Sequence, residues 1–233
     1  MAAMPAPDRS EPSASPSLTG ALGTGWETLK QRFWLLIVAV LIYGAIEVAS
    51  NVFTVPVGPG GPQQPVSVIG PLWSILVTGP LLVGLAWLAL RAVRGLEPEL
   101  DDLFEGFRHY PDAVGGMLVY GLAVTVGLIL LVVPGLIAMV RLAFTPYLIV
   151  DRELGPIEAV KASWEATRGH GWSLFGLLVV SVFILVGGLL LLVVGLIPAT
   201  AWVATSWAAY YDVVGAPADR AQRPPSRVDP DPT

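Results

Sequence analysis

Two charged side chains stand alone inside long uncharged stretches of this sequence. Glu47 is the only charged residue in 33–90, and Arg141 is the only one in 113–150. A carboxylate and a guanidinium in apolar surroundings can form a polar site on a substrate or ion route, or a buried pair that serves packing alone. We predict that the two approach each other. The polar neighbours expected to join them are Tyr43, Thr145 and Tyr147.

No other constellation in the chain predicts catalysis. His109 and His170 lack the paired His/Glu spacing of a metalloprotease, and no phosphate loop, dinucleotide fingerprint or serine elbow is present. The chain has no cysteine, which excludes thiolate metal sites and cysteine nucleophiles. We therefore expect a non-enzymatic protein with no metal and no cofactor, in which both histidines are interfacial polar residues.

The elements that must position these residues follow from three charge-poor stretches, 33–90, 113–150 and 169–211. The shortest would reach about 57 Å as one helix, against about 30 Å of bilayer hydrocarbon, so each stretch must cross a membrane twice. Helix breakers mark where each would fold back: the Gly/Pro run 55–65, Pro134 with Gly135, and 195–198. The sequence predicts an all-α integral membrane fold of six helices, in hairpins at about 33–92, 112–150 and 170–214.

The charges outside these stretches predict orientation and localisation. Every Lys and Arg except Arg141 flanks a hairpin, and positive charge is retained on the cytoplasmic side during insertion. We expect both termini to be cytoplasmic, in a plasma (inner) membrane protein. A signal peptide is the competing interpretation of the first apolar run, which lacks a convincing cleavage site. Residues 1–16 and 215–233 are predicted to be disordered tails around one domain at 17–214.

The same charges bear on partners. The formal net charge is -5, and acidic residues at 97–105 face the predicted cytoplasm. Anionic lipid and nucleic acid would both be repelled there, so neither is an expected partner. We expect contact with membrane lipids and with a protein partner or a second copy of the chain.

Each predicted hairpin is preceded by an amphipathic segment, which we expect to form an interfacial helix. Pro156 suits the first turn of a helix that places Ile157, Val160 and Trp164 on one side, and Ser17 is a candidate N-cap for the segment before Phe33. The third segment carries its apolar stripe at Leu100, Leu103, Phe104 and Phe107. Two hairpin starts also match in spacing, which indicates an internal repeat. The matching sets are Trp26, Glu27, Lys30, Trp34 and Leu36, and Trp164, Glu165, Arg168, Trp172 and Leu174.

The last predicted helix has a face of small residues, which favours close helix packing, in the centre of the bundle or at a dimer contact. The face consists of Ala201, Ala204, Thr205 and Ala208. Pro134, Pro146 and Pro198 could mark the broken helices of a transporter, although kinks and reversals are the commoner explanations of such prolines.

One part of the chain resembles known families. Its motifs are Pro134-Gly135, Arg141, Phe144, Pro146-Tyr147, Asp151, Gly155-Pro156, Glu158-Ala159, Ser163 and Arg168-Gly169. Over about 96–214 the pattern is similar to prokaryotic families of uncharacterised polytopic membrane proteins, including the YciC-like group and the membrane domain attached to some glycerophosphodiester phosphodiesterases. The resemblance implies an inner-membrane location and no known chemistry. The phosphodiesterase activity is not carried over, because no counterpart of its soluble domain is present in these residues.

Three functions remain open from the sequence. The first is a membrane scaffold, regulator or assembly partner that docks through its surface helices. The second is a small-solute or ion transporter or channel that uses Glu47 and Arg141. The third, a lipid-modifying enzyme, is opposed by the lack of catalytic residues.

Overall fold

The protein is built from helices. The computed structural model describes residues 17–52, 69–191 and 195–215, and every regular element in these ranges is helical, which confirms the predicted all-α class. The predicted tails, apart from Gly215, and the 55–65 fold-back lie outside the described residues.

The described residues form eleven α-helices and two short turns of other kinds. The α-helices are α1 (Leu18–Gln31), α2 (Phe33–Val52), α3 (Ile69–Trp73), α4 (Gly79–Val93), α5 (Glu105–Arg108), α6 (Tyr110–Leu130), α7 (Val132–Arg141), α8 (Thr145–Asp151), α9 (Pro156–Ala166), α10 (Gly171–Leu190) and α11 (Leu196–Val214). A π-helical turn, Ser74–Thr78, joins α3 to α4, and a 3-10 helix, Leu100–Phe104, precedes α5.

Four helical stretches in the described residues are long and apolar enough to cross a membrane: Ser74–Val93, Tyr110–Leu130, Val132–Asp151 and Gly171–Leu190. Together α1 and α2 add a fifth if this pair, bent by 97°, is counted as one span. At the position predicted for the sixth span lies α11, which carries Thr, Ser, Tyr and Asp side chains among its apolar ones.

Helices that follow each other in sequence pack together, α2 on α4, α6 on α7 and α10 on α11. Between α6 and α7 the chain reverses at Leu131, whose backbone is extended, rather than at the predicted Pro134 and Gly135. Pro134 instead lies in the first turn of α7, where a missing N–H removes no helical hydrogen bond. A Cβ on Gly127 would lie 2.8 Å from the Cα of Gly135, so only glycine permits this close approach.

The π-helical turn has a local cause in Pro80. A proline ring clashes with the carbonyl four residues earlier and donates no hydrogen bond to it. Widening the preceding turn to π geometry accommodates both effects. The helix that begins at Ile69 therefore continues to Val93 without a stop.

The amphipathic segments behave differently from one another. The Ser17 hydroxyl caps α1 by accepting a hydrogen bond from Gly20 N at 3.1 Å, and α9 begins at Pro156, as predicted for both. The 100–108 segment is not one helix, because a 3-10 turn precedes the single turn of α5. Its apolar stripe also divides: Leu103 is buried, whereas Leu100, Phe104 and Phe107 are exposed.

The core lies around α4, where Val83, Leu88 and Leu90 are fully buried. We call four of the elements packed around it the collar: α1, the 100–108 segment, α8 and α11. The small-residue face of α11 is buried at Ala201, Thr205 and Ala208. There the Thr205 hydroxyl donates to the Gly25 carbonyl of α1 at 2.9 Å, so this face serves internal packing.

Candidate functional site

Four side chains from three distant parts of the chain meet in one polar cluster, which we call the Arg94 cluster. The Arg94 guanidinium donates to both carboxylate oxygens of Asp151, at 2.5 and 3.0 Å, and its Nε donates to Asp212 at 2.9 Å. The Tyr211 hydroxyl donates to Asp151 at 2.9 Å. The cluster therefore ties the ends of α4, α8 and α11 to one another.

Local backbone geometry positions Arg94 for this role. At the C-terminus of α4, Gly95 N donates to Ala92 O and Leu96 N donates to Arg91 O, the hydrogen bonds of a Schellman cap. Gly95 adopts a φ of 72°, in the left-handed region that glycine tolerates. The helix therefore ends at Val93 and leaves Arg94 in the cap, facing the other two helix ends.

Burial and charge strengthen the ion pairs within the Arg94 cluster. The side chains of Arg94, Asp151 and Asp212 are 16%, 6% and 13% exposed. Burial opposes the charge of Arg94, but hydrogen bonds and attraction from the two carboxylates outweigh it and raise the pKa of Arg94. Arg94 is thus a permanent cation at the centre of two anions.

Aromatic rings close the cluster on one side. Tyr147 stacks on Tyr211 with ring centroids 4.9 Å apart, and Phe144 meets Tyr211 edge-on at 5.3 Å. Tyr147 is buried in these contacts. The residue predicted to accompany Arg141 therefore belongs to the Arg94 cluster instead.

A second ion pair holds the collar to α4. Arg91 donates to Asp102, and the other oxygen of Asp102 accepts from Glu99 N at 2.7 Å. Gly84 and Gly106 lie directly against backbone carbonyl groups of Leu103 and Pro80, with no room for a Cβ. The 100–108 segment is thus fastened along α4 by charge and by close backbone contact.

Arg141 lies at one end of a separate groove of about 680 Å³ between α7 and the start of α10. Its guanidinium carbon is 5.3 Å from the centroid of the Trp164 ring, and its carbonyl accepts from Ser163 and Thr167 at 2.9 and 3.2 Å. The groove is otherwise lined by apolar side chains and glycines. The lining residues are Val133, Leu136, Ile137, Val140, Gly169, Gly171, Trp172 and Phe175.

The four residues of the predicted polar site are not brought together. No ion pair joins Glu47 to Arg141 among the described residues, and neither Glu47 nor Tyr43 lines the groove. Glu47 and Tyr43 lie one turn apart on α2, which packs against α4 and α11. Buried Thr145 begins α8, on the opposite side of the 142–144 break from Arg141.

The histidines are half-buried and have local contacts. His109 Nδ1 is 3.8 Å from a Glu105 carboxylate oxygen, and His170 Nδ1 is 3.2 Å from the Arg168 carbonyl. Within the described ranges, no group of three or more His, Cys, Asp or Glu side chains could hold a metal ion.

One family comparison applies to the part of the chain that contains Arg141 and the two carboxylates of the Arg94 cluster. Residues 110–219 match the model of a family described as a domain of unknown function, DUF7847. No curated protein and no solved structure matches the chain. The matched residues include Asp151, Asp212 and Arg141, whereas Arg94 precedes them, so the Arg94 cluster joins the DUF7847-like segment to the rest of the chain.

The Arg94 cluster was missed from sequence, although a signal for it exists. Asp151 is followed by Gly155, and Asp212 is followed by Gly215, so each acidic residue ends an apolar stretch shortly before a glycine. Arg94, with Gly95, ends the first stretch in the same way but carries the opposite charge. Comparing where the stretches end, rather than where they start, would have suggested the contact.

Proposed function

We propose that this chain is an inner-membrane protein with six spans in three hairpins and with both termini in the cytoplasm. One observation carries the proposal: Arg94, Asp151 and Asp212 each follow or end the second helix of a predicted hairpin, and they meet. Three hairpins whose ends converge must all return to the same side. An even number of membrane crossings in each charge-poor stretch likewise returns the end of each hairpin to the side on which it began.

The distribution of charge supports the same topology. The ion pairs of Arg91 and Arg94 gather at the end of the bundle where the hairpins return. The opposite reversal, at Leu131, has no charged neighbour in sequence from Ala113 to Val140. A bundle with one charged end and one apolar end is suited to a bilayer, and the positive-inside rule places the Arg-bearing end in the cytoplasm.

We infer that the protein acts as a non-enzymatic scaffold, regulator or assembly partner. The collar encloses α4, and the Arg94 cluster holds the helix ends in one arrangement. A transporter, in contrast, needs helices that move apart. On α9 the charged side chains Glu158, Lys161 and Glu165 are exposed, next to this rigid end. They offer a fixed polar surface to a partner. The resemblance to YciC-like proteins stays a prediction.

Site-specific photocrosslinking tests this role. A photoreactive amino acid at Lys161, on the exposed face of α9, is expected to give discrete adducts with a partner or a second copy in cells. The same group at Leu190, an exposed apolar position at the far end of α10, serves as the matched control and is expected to give no protein adduct.

Equal adducts at both positions, or none at Lys161, would contradict the scaffold proposal. So would solute flux through liposomes that Arg141→Gln and Glu47→Gln both abolish, because that result would favour the transporter instead.

A further inference from the structure

The groove between α7 and α10 has the shape and chemistry of a site for an amphiphile. One end holds Arg141, and the other end is Val133, in the first turn of α7. The helical rise between these two residues is about 12 Å. Val133, Ile137 and Trp172 line it with side chains that are 65%, 48% and 88% exposed, so the groove is open along its length.

Arg141 retains unused binding capacity at the head of this groove. Its Nη1 is buried and has no hydrogen-bond partner among the described residues, and no carboxylate in those ranges lies within ion-pair distance. Trp164 covers one face of the guanidinium, which leaves the N–H groups at its edge for an acceptor. A guanidinium edge is suited to bidentate binding of a phosphate group.

The direction of the groove matches that of a lipid. This step rests on the proposed topology, in which the 169–171 connection lies on the cytoplasmic side and the Leu131 reversal on the outer side. Arg141 lies beside the first of these and about 15 Å along α7 from the second, so a phospholipid of the cytoplasmic leaflet that reaches Arg141 with its phosphate directs its acyl chains toward the Leu131 reversal. The cation and the apolar walls therefore follow the same order as the two parts of the lipid.

We propose that this groove binds one anionic glycerophospholipid, with its phosphate on Arg141 and an acyl chain along α7 and α10. The net charge of the head group decides which class of phospholipid fits the groove. Arg141 supplies one positive charge with no protein anion beside it in the described residues, so a head group that lacks its own ammonium group complements it best. Acidic residues elsewhere at the charged end would repel such lipids, which makes Arg141 a local exception.

The test is lipid binding to the purified full chain in detergent, measured by native mass spectrometry. The probes are phosphatidylglycerol, phosphatidylcholine and inorganic phosphate. We expect phosphatidylglycerol to bind at least tenfold more tightly than phosphatidylcholine, and inorganic phosphate not to compete, since it lacks the acyl chain. Arg141→Gln is expected to reduce phosphatidylglycerol binding at least tenfold.

Two further variants separate the site from general effects. Ile137→Trp fills the groove without changing charge and is expected to weaken binding as well, whereas Arg108→Gln, at an exposed cation outside the groove, should bind like the wild type. Equal binding by wild type, Arg141→Gln and Ile137→Trp, or no preference for phosphatidylglycerol, would overturn the proposal. Because binding in detergent does not depend on topology or on a protein partner, that failure would leave the proposed function standing.

Discussion

Arg94 is the residue on which the most structure depends. One guanidinium binds two carboxylates that are 57 and 118 residues away in sequence. Removing one partner of a buried ion pair leaves an uncompensated charge, which costs more than the pair itself contributes. Here the loss of Arg94 would leave Asp151 and Asp212 as neighbouring buried anions.

We expect Arg94→Gln to lower the free energy of unfolding by roughly 3 kcal/mol, measured by denaturant unfolding in detergent. Arg108→Gln is the matched control, because the Arg108 side chain that pairs with Asp101 and Glu105 is itself exposed, and such pairs contribute less than about 1 kcal/mol.

Adding Asp151→Asn to Arg94→Gln should recover part of the loss, since it removes an anion that the first change left unpaired. Equal stabilities of Arg94→Gln and Arg108→Gln would show that the Arg94 cluster does not hold the helix ends together.

At the same scale, the sequence shows which residues need partners but not which partners they find. Glu47 and Arg141 stand out because a charge in an apolar stretch is costly. The surroundings of Arg141 are Trp164 and Thr167, which come near it only because α9 folds back along the bundle. No spacing within α7 predicts that contact.

At the scale of elements, the collar explains why α4 is buried in protein although its apolar sequence is typical of a membrane-spanning helix. Gly84 lets the 100–108 segment approach until backbone meets backbone, and the Arg91 to Asp102 pair holds it there. The result is a helix that is enclosed along most of its length by protein rather than by lipid or water.

We predict that Gly84→Ala destabilises the protein by about 1–3 kcal/mol, because its Cβ would collide with the Leu103 carbonyl. Gly121→Ala on α6 is the control, since its Cβ would meet nothing within 4 Å and alanine favours a helix. Thermal unfolding of both variants in the same detergent makes the comparison. Equal melting temperatures would mean that the close contact between Gly84 and the Leu103 carbonyl does not contribute to stability.

Element boundaries were predictable where local chemistry decides them. Ser17 and Pro156 begin helices because a cap and a fixed φ act within one turn. The predicted reversal at Pro134 was wrong, because proline is compatible with a first helical turn as well as with a reversal. The chain reverses at Leu131 instead. The 100–108 stripe failed as a helix, since contact with α4 overrides its periodicity.

At the scale of the molecule, three charge-poor stretches correspond to three pairs of packed helices whose final residues meet. The pairing of helices within each stretch follows from length and from bilayer thickness. The convergence of their ends does not, because it depends on contacts between residues more than a hundred positions apart. From the two together we propose six crossings, one charged cytoplasmic end, and one lipid groove on its flank.

The most direct test of this account is cysteine accessibility, which the cysteine-free chain permits without background. Single cysteines at Glu27 and Glu165 should react with a membrane-impermeant maleimide only after the membrane is permeabilised. Single cysteines at Gln63 and Leu131 should react in intact spheroplasts. Labelling of Glu27→Cys or Glu165→Cys in intact spheroplasts, or of Gln63→Cys and Leu131→Cys from opposite sides, would contradict the six-span arrangement.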